Sequence, residues 1–130
     1  IYFASSGNAA TSLGVSGYLV RQGLAFRLYN GPLEEQGAEG LVEMESTPYA
    51  GVIGAWVDFP RTRTLLDEVF VHRTGIPDDW SHWPDVATIG IPNYYAWTYL
   101  ALTQAAIQNS DEEAIETYQA RAAAWTSLGT

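Results

Sequence analysis

Apolar and polar positions alternate over residues 24–29, with Leu24, Phe26 and Leu28 on one face of a strand and Ala25, Arg27 and Tyr29 on the other. Residues 1–4 read as a short strand, and residues 5–11, centred on Gly7 and Asn8, as a polar loop. Residues 13–22 read as a modest helix, with Gly23 placed as the residue beyond its end. One helix between two strands permits a parallel crossover, although the connection is short for one. Asn30, Gly31 and Pro32 close the second strand, and residues 32–40, carrying Glu34, Glu35 and Glu39, read as a solvated loop. Residues 41–45 predict a third strand, Val42 and Met44 alternating with Glu43 and Glu45. Residues 47–56 are apolar but broken by Pro48, Gly51 and Gly54, and fit neither period.

The second half of the chain is helical in pattern. Pro60 suits a first helical turn, and Leu65, Leu66, Val69 and Phe70 then form a stripe over residues 61–71. Residues 72–92 are irregular, punctuated by Gly75, Pro77, Pro84, Gly90 and Pro92. A long helix follows over residues 93–108, a tight turn over 109–111, and a final helix from Glu112 to about Ser127. Ser110 or Asp111 caps that helix, with Glu112 and Glu113 in the first turn, where negative charge meets the positive end of the dipole. Ala114, Tyr118, Ala122 and Trp125 make one continuous apolar face. These two helices resemble a single tetratricopeptide-type unit, the first of them only after a one-residue shift. No second copy is present, which argues against a repeat array. The fold predicted is α+β: a small N-terminal sheet packed with a C-terminal helical layer that ends in a tetratricopeptide-like antiparallel hairpin.

At 130 residues, with 47% hydrophobic and 13% aromatic residues, the chain suits one domain, 1–130, with its own core. The net charge of −9 argues against nucleic acid and against anionic headgroups as partners. All six basic residues are Arg, so Lys chemistry is excluded, and the absence of Cys removes disulfides and thiol nucleophiles. No apolar run reaches the ~18 residues of a membrane span. The chain opens at Ile1 in strand-like sequence, without a signal-peptide pattern, which reads as a cut inside a longer polypeptide or a processed product.

Candidate chemistry is sparse. Asp58, Arg61 and Arg63 flank a helix start, where Arg forks can clamp an anion or where Asp58 can simply cap the turn. Trp80, His82 and Trp83 stand among Asp78, Asp79 and Asp85, an arrangement that can stack on a sugar or pin a loop to the core. His72 and His82 lack regular spacing and a third nitrogen ligand, so no metal site and no cofactor is assigned. The adjacent pairs Asp78/Asp79 and Glu112/Glu113 do not give the facing geometry a glycosidase needs. Ser5, Ser6 and Ser16 lack a nucleophile-elbow spacing. No catalytic residue is assigned. Tyr94, Tyr95, Trp97 and Tyr99 cannot share one helix face, and core packing is the preferred reading over a bilayer interface. Arg27, in an apolar strand, requires a carboxylate or carbonyl partner if buried, Asp58 or Asp67 first.

The opening Ile1-Tyr2-Phe3-Ala4, the run Tyr18-Leu19 with Gly23-Leu24-Ala25-Phe26-Arg27-Leu28, and the segment Val57-Asp58-Phe59-Pro60-Arg61-Thr62-Arg63 leading to Leu65-Leu66 carry a resemblance. They resemble the soluble tail of bacterial multi-spanning glycosyltransferase-like proteins related to protein O-mannosyltransferases. The long loop at residues 31–40 departs from that pattern. The resemblance implies a non-catalytic accessory domain on the extracytoplasmic, periplasmic or cell-surface side, tethered to the membrane-embedded portion of the same polypeptide. It implies contact with an acceptor glycan or peptide, while lipid-linked sugar transfer belongs to loops outside this chain. The competing expectation is an exported, self-associating interaction domain. A free-standing hydrolase is the weakest alternative.

Overall fold

The computed structural model describes residues 1–4, 12–31, 33, 40–44, 56–70 and 90–128. Its sheet contains β1 (Tyr2–Ala4), β2 (Leu19–Gln22), β3 (Ala25–Leu28), β4 (Leu41–Glu43) and β5 (Trp56–Asp58). The helical part is α1 (Phe59–Thr64), which widens into a π turn over Leu65–Val69, then α2 (Ile91–Gln108) and α3 (Glu112–Leu128). The class is α+β, as the pattern predicts.

Strand order is β1-β3-β2-β5-β4, with β2 and β5 parallel and every other pair antiparallel. This corrects two expectations. The segment predicted as a helix over 13–22 is largely a 3-10 turn (Ser16–Tyr18) followed by β2, which makes a hairpin with β3, and β1 and β3, which a crossover would set parallel, pair antiparallel. The physical reason lies in burial on both faces: Leu19, Val20, Arg21 and Gln22 are all buried, so the strand shows no two-residue alternation. Gly23, at φ +65°, takes the first central position of the two-residue turn from Gln22 to Ala25. A glycine with positive φ ends a helix or turns a hairpin equally well, and its local sequence does not choose between them.

Helix α2 is the centre of the molecule. Ala101 and Ala105 pack on Val42, Met44 and Val57 of the sheet side. Ala96, Tyr99, Leu102 and Ala106 meet Ala114, Tyr118, Ala122 and Trp125 of α3, with Leu66 completing the layer. A helix buried on two sides needs apolar residues nearly all round, and its alanines let the sheet approach closely. Helix α3 buries one stripe only, and that stripe is the one its sequence predicts. The hairpin is antiparallel: Tyr95 stacks on Trp125 at one end, Tyr99 lies against Tyr118 further along, and Asp111 N donates to Ala106 O at the turn. Asp111 caps α3, its Oδ1 accepting from Ala114 N at 3.1 Å.

Sheet, hairpin turn and helices are joined by a buried polar knot. Arg21 Nη1 donates to Gly23 O at 3.0 Å and to Thr98 Oγ1 of α2 at 2.8 Å, and its guanidinium lies 4.9 Å from the Phe26 ring centre. Thr62 Oγ1 of α1 accepts from Gly23 N at 3.1 Å and donates to Arg21 O at 3.3 Å. Burial pulls the pKa of the Arg21 guanidinium down from its ordinary value to about 10. Arg27, by contrast, is exposed and lies over the Tyr29 ring at 5.2 Å. The partner expected of a buried Arg27 is therefore not needed there, and Arg21 carries that role instead.

Candidate functional site

The helix start that carries three of the sequence candidates is a structural device. Asp58 ends β5 and caps α1, its Oδ1 accepting from Arg61 N at 3.1 Å while its Oδ2 accepts from Gln22 Nε2 at 3.3 Å. Both carboxylate oxygens thus fix the corner between the sheet and α1. Arg61 and Arg63 are both exposed, but two helical residues apart they point about 160° away from one another around the axis. The structure therefore does not bring Asp58, Arg61 and Arg63 into one anion clamp. Trp80, His82 and Trp83, with His72 and the acids around them, lie outside the described residues.

Arg63 instead leads to a second site, which sequence spacing does not reveal. Its Nε stands 4.0 Å from Asp67 Oδ2, one helical turn on. Asp67 sits in the π turn, marked by Phe70 N donating to Leu65 O at 2.7 Å. From there its carboxylate reaches α3: Arg121 Nη1 donates to Oδ1 at 2.6 Å and the Tyr118 hydroxyl donates to Oδ2 at 3.3 Å. Arg121 also lies 5.8 Å from the Tyr99 ring centre and 5.9 Å from that of Tyr118. Burial opposes the Arg121 charge, but Asp67 and Tyr99 outweigh it and hold the guanidinium above its ordinary value. Burial, then the Asp67 carboxylate, push the Tyr118 phenol up from 10.0 to about 12.

These groups line a polar cleft of about 240 Å³ that also includes Asp111, Glu113 and Thr117. Two of its carboxylates are engaged, since Asp67 holds Arg121 and Asp111 caps α3, while Glu113 makes no hydrogen bond or ion pair among the described residues. What it offers a ligand is a mixture of fixed hydrogen-bond donors and acceptors, of the kind that orients a hydroxyl-rich or amide-rich molecule. The site was illegible beforehand because Asp67 and Arg121 are 54 residues apart and each alone reads as ordinary surface charge.

On the opposite side of the hairpin a more apolar groove of about 610 Å³ runs between α2 and α3. Trp97, Leu100 and Ala123 line it, with Asn93 and Gln119 supplying amides. Among the described residues no helix is long and apolar enough to cross a membrane, and no group of three or more His, Cys, Asp or Glu is placed to hold a metal ion. Comparison with known protein families, curated proteins and solved structures gives no match.

Proposed function

We propose that this chain is a non-catalytic extracytoplasmic accessory domain of a membrane glycosyltransferase-like protein, tethered to that protein's membrane-embedded portion and contacting an acceptor glycan or peptide. The family resemblance supplies the parent. The observation that carries the non-catalytic part is the commitment of the buried and half-buried polar side chains among the described residues: Asp58 and Asp111 cap helices, Asp67 holds Arg121, and Thr62, Thr98 and Arg21 tie the hairpin turn to the helices. A catalytic carboxylate must face the reacting bond and exchange a proton, which groups held in this way are poorly placed to do. The Asp67–Arg121 cleft is the surface we assign to acceptor contact. Incubating the domain with labelled lipid-linked and nucleotide sugars, with and without divalent metal, should give neither transfer nor hydrolysis. Turnover would overturn the accessory reading.

A second reading, an exported interaction or self-assembly domain, is favoured by the apolar groove between α2 and α3, where Trp97 and Leu100 remain partly accessible. Sedimentation at rising protein concentration separates the two readings. Self-association that Leu100→Glu abolishes would favour assembly, and a monomer throughout would favour the accessory role.

A further inference from the structure

Strand register assembles a surface away from the cleft. Tyr2 of β1, Arg27 of β3 and Val20 of β2 form one row across the sheet, and because Val20 is fully buried the row opens to solvent over β1 and β3 alone. Two residues along, Tyr29 N donates to Tyr18 O at 2.9 Å, which sets Tyr29 beside Tyr18. Residues two apart on a strand share a face, so Arg27 and Tyr29 project from the same side. Arg21 and Phe26, paired in the row next to Val20 and Arg27, project from the other side, toward α2. Tyr2 is 63% exposed and Tyr18 39%, and Arg27 is exposed as well.

Arg27 makes no ion pair and no side-chain hydrogen bond among the described residues, although the chain holds 15 Asp and Glu against six Arg. Its guanidinium lies over Tyr29, whose ring centre is 5.2 Å from the guanidinium carbon. A guanidinium laid over a ring is pre-organised: its planar fork of donors faces outward with less rotamer freedom left to lose on binding. Bare tyrosine rings beside it offer flat apolar surface with a hydroxyl at the rim. A pyranose has the matching shape, with C–H faces for a ring and hydroxyls at its edge. The positive fork complements an oxyanion on that sugar, by a charge-assisted bond whose geometry suits bidentate pairing.

We infer that the face formed by Tyr2, Tyr18, Arg27 and Tyr29 binds acidic sugars, meaning pyranose units that carry a carboxylate or a phosphate. The site stands on sheet register and on Arg27, and does not depend on the accessory reading above.

Isothermal titration of the whole chain tests it, with four probes: a glucuronate-containing oligosaccharide, glucose 6-phosphate, a neutral glucose oligomer and inorganic phosphate. One or both acidic sugars should bind, the neutral oligomer at least about tenfold more weakly, as expected when a charge-assisted contact is lost. Arg27→Gln should weaken the acidic sugar by a similar factor with an unchanged melting temperature. Arg27→Lys, which keeps the charge but not the fork, should fall between the two. Tyr18→Ala should weaken the acidic sugars and leave inorganic phosphate unaffected. Absence of binding by both acidic sugars, equal binding of the neutral oligomer, or indifference to Arg27→Gln would each overturn the site. Inorganic phosphate binding as tightly as the sugars would overturn its sugar specificity.

Discussion

Trp125 is 2% exposed, and its ring stacks on Tyr95 with centroids 4.5 Å apart and planes 15° from parallel. Aromatic side chains carry much of a core's burial, and truncating one leaves a cavity that its neighbours fill only in part. Trp125→Ala should therefore cost about 3–5 kcal/mol in denaturant unfolding. A loss below about 1 kcal/mol would mean that α3 does not pack as described. Tyr118 lies in the same stripe and makes a prediction about pH. Its phenol is raised from 10.0 to about 12, so over that interval the folded chain keeps a proton that the unfolded chain releases. The stabilisation is complete below pH 10 and is lost as pH rises through about 12. Arg21, lowered to about 10, acts in the opposite sense over much of the same range, but it is common to wild type and variant. Melting curves of Tyr118→Phe should thus fall less steeply than wild type between pH 10 and 12, and parallel curves would refute the linkage.

Among the elements, α3 and β3, each with a single buried face, were legible, and α2, though buried on two sides, was legible through its length, whereas the doubly buried β2 was not. Helix α3 shows its stripe plainly because its other side meets water, and β3 shows Phe26 and Leu28 against exposed Arg27 for the same reason. Strand β2 is buried on both faces and resembles a helix end, while β5 is three residues long and lies within and beside a stretch of ambiguous pattern. The Asp67 cleft was hidden differently, because it depends on a π turn meeting a helix far along the chain. Gly40 is a test of how closely such short elements must fit. It lies at φ +86° just before β4, and its carbonyl accepts from Phe59 N at 3.0 Å. A Cβ there would stand 2.6 Å from Pro60 Cδ and 2.7 Å from Cγ, atoms of a rigid ring in the first turn of α1. Gly40→Ala combines left-handed strain with overpacking, and should cost about 2 kcal/mol or more. An effect within about 0.5 kcal/mol of wild type, measured by denaturant midpoint, would show that β4 and α1 are not held so tightly.

At the scale of the whole molecule, the position of α2 decides whether the sheet has any independent existence. The five strands have three or four residues each, too short to be stable without a layer to cover them. On the side of Val42 and Val57 that layer is α2, through Ala101 and Ala105. The Arg21 guanidinium places one of its donors on Thr98 of the same helix, so removing α2 would strip apolar cover and a buried hydrogen-bond acceptor together. The hairpin cannot substitute for the sheet either, since α2 would then present Ala101, Ala105 and Thr98 to water. Folding of the sheet and of the hairpin should therefore be one event, with far-ultraviolet circular dichroism and tryptophan fluorescence tracing coincident transitions. A chain ending at residue 89 should show no cooperative melting and no dispersed amide spectrum. A folded 1–89 fragment, or separated transitions in the full chain, would mean that sheet and hairpin are distinct units joined by a dispensable knot.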